Sequence, residues 1–244
     1  MLLPLTDRLG GRKQISESIE LAVFLTLSGG FMDAYSFICR GGVFANAQTG
    51  NIVLLAVNLS LGKFAQAARY FFPILCFALG IACADLIRHG LQRESAQTAV
   101  NPPRALRGRA ALHWRQLTVA LEAALFLLVA FLPQSQNLLA NSLTSFACGA
   151  QVESFRKIGG FGAATTMCIG NLRAATQALC DYRLTRDRSA LTRSLLFYGV
   201  IVVFALGAVT GNLCVQQFGE RAILVCCIFM ACAFLMMFVD LEKE

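Results

Sequence analysis

Phe77-Ala-Leu-Gly-Ile-Ala-Cys-Ala-Asp-Leu86 returns late in the chain as Phe204-Ala-Leu-Gly-Ala-Val-Thr-Gly-Asn-Leu213, identical at five of ten positions. Outward from this pair, the neighbours recur in the same order. Ser36-Phe37, Arg40-Gly41-Gly42 and Thr49-Gly50-Asn51 precede the first copy; Ser154-Phe155, Gly159-Gly160 and Ile169-Gly170-Asn171 precede the second. Each half reads as span, Gly-Gly loop, Gly-Asn half-helix, Phe-Ala-Leu-Gly span, final span. Short matches among small apolar residues arise by chance, but a shared order argues for duplication of one unit.

The medium these units live in follows from composition. Of 244 residues, 57% are hydrophobic and 14% charged, where a soluble domain carries about 25% charged residues. Mean hydropathy is +0.62. The charges gather at 2–20, 88–115 and 181–193, leaving long apolar runs between. This excludes a secreted disulfide scaffold, a disordered chain and an ordinary soluble enzyme. A β-barrel would alternate over strands of about ten residues, and these runs do not alternate. The reading is an all-α polytopic membrane protein. The first apolar run follows a polar, basic segment without a small-residue cleavage site, so it is expected to stay as an anchor. The ten cysteines lie in apolar runs without a C-x-x-C, and only His89 and His113 are present. Cysteine then acts as a small hydrophobe, and neither a metal site nor a cofactor is expected. The net charge of +7 reads as a topology signal beside the spans rather than a nucleic-acid surface.

About 20 helical residues cross about 30 Å of hydrocarbon. Residues 19–38, 70–87, 117–132, 195–215 and 222–239 qualify; 138–155 carries Asn141, Ser142, Thr144, Gln151 and Glu153 and can span only with that face buried. Residues 52–61 and 172–182, each behind a polar Gly-containing stretch (41–51 and 159–171), would reach only roughly 15 Å. They read as re-entrant or broken helices, which persist at depth where they line a cavity. Loop charges support this. If all eight segments cross, lysines and arginines divide evenly; if the two short ones turn back, sixteen face inward and four (Arg40, Lys63, Arg69, Arg221) outward. The positive-inside rule selects six crossings with both termini cytoplasmic. The chain divides into a cytoplasmic segment 1–18, a first repeat 19–87, a basic linker 88–116 with Pro102-Pro103, a third crossing of the first repeat 117–132, a second repeat 138–239 and a tail 240–244. Three crossings per unit, an odd number, make the repeats inverted, bringing the two Gly-Asn turns toward the midplane from opposite faces.

A charge near the bilayer centre costs at least about 2.5–3.5 kcal/mol on insertion scales, so Asp33, Asp85, Glu122 and Glu153 each need a reason. Asp33, just after Gly29-Gly30, reads as a protonatable group facing a cavity, or as a carboxylate paired with Arg40 or bonded to freed backbone. Glu122 reads as a second proton-coupling candidate or a partner of Arg115, and Asp85 as a surface partner of Arg88. The loops supply the substrate-binding candidates: Asn46, Gln48, Thr49, Gly50 and Asn51 in the first unit, Thr165, Thr166, Gly170, Asn171 and Arg173 in the second, with Asp33, Gln151 and Glu153 beside them. A half-helix amino terminus offers unpaired N–H groups and partial positive charge, so two such ends plus Arg173 suit an anion or carboxylate. Plain capping and close glycine packing explain the same residues without a ligand.

At these residues the chain resembles a known family. Gly29-Gly-Phe-Met-Asp-Ala-Tyr-Ser-Phe37 and Gly42-Val-Phe-Ala-Asn-Ala-Gln-Thr-Gly-Asn51 closely resemble the YoaK family (UPF0700, domain of unknown function 1275). Gly149-Ala-Gln151, Phe155-Arg156, Thr165-Thr166-Met167 and Gly170-Asn171-Leu172 agree, and the likeness covers roughly residues 16–240. It implies a bacterial integral inner-membrane protein and names no substrate. Glu153 departs from it, standing where the family commonly looks amide-like. The leading functional expectation is a small-solute transporter or channel with its site at the two Gly-Asn loops. No catalytic residues are expected, because there is no His cluster, no nucleophile with a base and no H-E-x-x-H spacing. The alternative is a structural or sensory protein acting through 88–115. The partners expected are the lipid bilayer and an unidentified small solute, with no nucleic acid; assembly as a homo-oligomer stays open.

Overall fold

The computed structural model describes residues 18–100, 114–162 and 165–239. Helix α1 (Ile19–Cys39) starts where the Ser18 hydroxyl accepts the Leu21 N–H at 3.1 Å, the usual amino-terminal cap. It stops at Arg40 because Gly41 and Gly42 take φ of +85° and +77°, left-handed backbone that side chains resist. Helix α2 (Gln48–Ser60) joins α3 (Phe64–Val100) through a tight turn at Gly62. After α4 (Trp114–Val129), a single 3-10 turn leads into α5 (Asn137–Ser154). A two-residue hairpin then pairs β1 (Lys157–Ile158) with β2 (Phe161–Gly162) around Gly159-Gly160, both at positive φ, as a primed turn requires. Helices α6 (Cys168–Thr185), α7 (Arg188–Phe218) and α8 (Leu224–Val239) complete the described chain.

The recurring Phe-Ala-Leu-Gly motif is a helix crossing. A Cβ added to Gly207 of α7 would lie 2.2 Å from the Leu27 carbonyl oxygen of α1, and one on Gly30 would lie 1.9 Å from the Phe204 oxygen. The first copy does the same against α5: Gly80 would meet the Phe146 oxygen, and Gly149 the Phe77 oxygen, both at 2.1 Å. Small residues let the backbones touch and gain dispersion contact where the hydrophobic effect gives no drive between helices in lipid. Helix α1 thus packs on α7 and α5 on α3; α2 lies on α3, α6 on α7, α4 on α5 and α8, and α8 on α1. Exchanging the first four helices with the last four leaves these pairings unchanged. The crossing also corrects the register: it sets Gly30 against Gly149, one residue off the Ser36-Phe37 to Ser154-Phe155 match.

Polar side chains are buried in the interior while large apolar ones face outward. Thr26, Ser28, Asp33, Asn46, Gln151 and Thr166 are buried, while Phe64, Leu79, Phe131, Ile169 and Leu206 are among the large apolar side chains left exposed. Apolar exposure on this scale does not suit water. Three stretches, Ile19–Cys39, Phe64–Gly90 and Arg188–Met237, are long and apolar enough to cross a membrane, the last containing both α7 and α8.

Two expectations change. Helix α2, at 13 residues, is short as expected, but α6 has 18, about 27 Å of helix. The linker expected over 88–116 is partly helical: α3 runs on to Val100 and α4 begins at Trp114. The remainder of it, like the segments 1–17 and 240–244, lies outside the described residues.

Candidate functional site

The loop between α1 and α2 does not stay at the end of α1. It folds back so that Asn46 donates its side-chain N–H to the Gly29 carbonyl at 3.1 Å, ten residues before the end of α1 and about 15 Å down its axis. Asp33 holds the loop there: its Oδ1 accepts the backbone N–H groups of Asn46 at 2.7 Å and Ala47 at 3.4 Å. The partial positive charge at the start of α2 is therefore already met by a carboxylate of the same chain. Asn51 locks the loop from the other side, accepting the Phe44 N–H at 3.0 Å and donating to the Phe44 carbonyl at 2.7 Å and to Gln48 Oε1 at 2.9 Å. Gln48 in turn donates to the Ala45 carbonyl, and Gly50 sits under the Phe44 ring. Gln48, Gly50 and Asn51 are thus the loop's own scaffold.

The loop before α6 reaches the same point from the second half. A Cβ on Gly29 would lie 2.8 Å from Thr166 Cγ2, so Gly29 is flanked by Asn46 and Thr166. One turn earlier on α1, Gln151 of α5 donates to the Leu25 carbonyl at 3.1 Å and to the Thr165 hydroxyl at 3.3 Å. Cys148 of α5 is buried against Met32, the residue before Asp33. Asn46, Thr165, Thr166 and Gln151 are at most 4% exposed, Asp33 8%. Within this sealed cluster Asn46 Oδ1, Gln151 Oε1 and Thr166 Oγ1 have no hydrogen-bond partner, a condition that costs about 1–3 kcal/mol each. The amide orientations are fixed by chemistry, because backbone carbonyls only accept and so claim the amide nitrogens.

Other candidates lie elsewhere. Thr49, Gly170 and Arg173 are exposed, so Arg173 adds no charge to the cluster; Asn171 is buried at the start of α6. Glu153 pairs with Arg156 and, at 3.5 Å, with Arg88, which also binds Asp85; this ion-pair group sits at the far end of α5. Glu122 is fully buried with neither carboxyl oxygen partnered, while Arg115, the partner expected for it, donates to the Ser154 carbonyl.

Arg40 is the functional-looking residue whose placement the sequence hid. It does not pair with Asp33. It is fully buried, and its guanidinium donates to the carbonyls of Val129 and Leu132 at 2.9 Å each, to Asn137 at 3.2 Å and to the Tyr35 hydroxyl at 2.8 Å. The Val129 carbonyl ends α4, where the helix dipole is negative, and Leu132 lies in the turn just after it. An arginine at the end of an apolar run reads as an interfacial charge, so no signal set it apart.

A family model described as "Protein of unknown function (DUF1275)" matches residues 21–236. The chain is 26% identical over 191 residues to the UPF0700 transmembrane protein YoaK of Bacillus subtilis (strain 168), a match covering 78% of this chain and 80% of that relative. No solved structure matches it. Since the matched region runs from α1 into α8 and includes both loops, the chain belongs to the DUF1275 family and is a membrane protein.

Proposed function

We propose that the protein is a transporter or channel for a small solute, not an enzyme, set in the bacterial inner membrane with both termini cytoplasmic. The observation that carries this reading is the meeting of two loops, one from each half, at Gly29 in the middle of α1. Irregular backbone at membrane depth is tolerated where it is buried in protein or lines a cavity, and paired broken elements of this kind mark the binding sites of secondary transporters.

Six crossings and an inverted repeat fit the contacts best. Arg69, early in α3, lies against Gly41 at the end of α1, and Asn137 at the start of α5 lies near the same glycine. This supports α2 descending to mid-depth and returning to the side it left. Leu196, early in α7, and Ile19, at the start of α1, both lie against Gly159, which supports α6 returning to the opposite side. The test is solute flux into proteoliposomes of the purified protein, screened over small ions, amino acids and amines. Flux lost on Asn46→Ala or Gln151→Ala in well-folded protein supports the reading. A tight membrane with no flux of any solute class removes it.

A further inference from the structure

The proposed transport site rests on two loops, and what they leave unpaired defines the charge of the solute. Every unpartnered atom of the cluster is an oxygen: Asn46 Oδ1, Gln151 Oε1 and Thr166 Oγ1. The two amides cannot turn over to offer N–H groups, because Gly29 and Leu25 carbonyls hold their nitrogens. One of the group is a carboxylate, Asp33, itself buried. Elsewhere in the interior a second carboxylate, Glu122, is fully buried with both oxygens unpartnered. Among the described residues, the ion pairs involve Asp85 and Glu153 only, Arg40 is spent on the end of α4, and Arg173 is exposed.

Resting on the transport reading, we propose that the cluster of Asp33, Asn46, Gln151 and Thr166 binds a monovalent cation. A hard set of oxygens with one carboxylate among them matches a single positive charge, as an alkali ion or as the ammonium group of a small amine. Both supply what the site lacks: each accepts electron density from several oxygens and cancels one buried negative charge. An anion would meet a carboxylate and two amide oxygens, with the N–H groups before α2 already taken by Asp33, and only hydroxyls and one amide N–H left to donate.

The test uses the purified full-length protein in nanodiscs at constant ionic strength, with N-methylglucamine chloride as the bulky reference. Thermal unfolding is followed on exchange into sodium, potassium or methylammonium chloride. A ligand that binds only the folded state raises the melting temperature with concentration. A rise with sodium or potassium identifies an inorganic ion; a rise with methylammonium alone identifies an amine head group. In either case Asp33→Asn should abolish the rise, and Thr166→Val should raise the apparent Kd about tenfold. Thr166→Val is the decisive variant, because it replaces an unpartnered hydroxyl by a methyl of the same shape and should leave the cation-free protein at least as stable. A melting temperature indifferent to all three cations overturns the proposal, as does a rise unchanged in Thr166→Val or a response to anions instead. Flux without cation binding would keep the transporter and discard this site; binding without flux would do the reverse.

Discussion

Replacing Gly30 by alanine tests the helix crossing that holds the two halves together. The added Cβ would lie 1.9 Å from the Phe204 oxygen, 2.9 Å from its carbonyl carbon and 3.0 Å from the Ala208 nitrogen. Ordinary contact needs about 3.5 Å, so roughly 1.5 Å of room is missing. All three neighbours are backbone, so no rotamer change relieves the clash and α1 must move off α7. That movement also opens the approach of Gly207 to Leu27. Overpacking costs typically about 1–3 kcal/mol, and this site belongs at the upper end. Gly149→Ala, at 2.1 Å from the Phe77 oxygen, should cost a similar amount if the halves are copies. Gly199 of α7 is the control: nothing lies within 4 Å of its added Cβ, so Gly199→Ala should be neutral or gain up to about 1 kcal/mol from helix propensity. Reversible unfolding in mixed SDS micelles reads all three. Gly30→Ala as stable as Gly199→Ala would refute the backbone crossing, and a large difference between Gly30→Ala and Gly149→Ala would refute the shared geometry.

Arg40→Lys should cost about 3 kcal/mol, since an ammonium cannot span the Val129 and Leu132 carbonyls, Asn137 and Tyr35 together; chemical denaturation checks this, and a loss below 1 kcal/mol would contradict it. Asn51→Ala should cost about 3 kcal/mol for its three hydrogen bonds, whereas the exposed Thr49→Ala should stay within about 0.5 kcal/mol; equal effects would show that the loop is not built as described. Asp187, the α7 cap, accepts from the Ser189 hydroxyl and N–H, which hold its carboxyl below the usual carboxylate range. Its contribution is therefore present above about pH 4 and lost as pH falls through its lowered folded value. Asp187→Asn should differ from wild type at neutral pH and converge with it in acid; a gap that widens in acid would reverse the sign.

Much of this was legible in the sequence because glycine between large apolar residues has a geometric purpose. Gly80 and Gly207 recur because backbone must touch backbone at both, and the repeat is that contact written twice. The misplaced residues were misread by treating a motif as a unit rather than a helix. Residues Asn171, Ala175 and Ala178 form the buried face of α6. Arg173 is two positions from Asn171, about 200° round the helix, and so faces away; Thr49 beside Asn51 and Glu153 beside Gln151 obey the same rule. Hydropathy ends the third helix at 87, yet Leu91-Gln-Arg-Glu-Ser-Ala-Gln97 are mostly good helix formers, and the helix continues through Val100. Membrane solvation and helix formation are separate forces, and only the first was counted there. Asp33 stands out in the sequence as an acid inside a span, but its partners, the N–H groups of a loop folded back on mid-helix, depend on a tertiary return that no local pattern records.

Side-specific labelling tests most directly whether the two halves enter the membrane with opposite orientation. Lys63, in the turn between α2 and α3, and Arg183, near the end of α6, are both exposed. Each is replaced singly by cysteine in a cysteine-free background and challenged in intact cells with an impermeant maleimide. With opposite orientations, Lys63→Cys reacts from the periplasm and Arg183→Cys only after the membrane is opened. Reaction of both from the same side would contradict that arrangement.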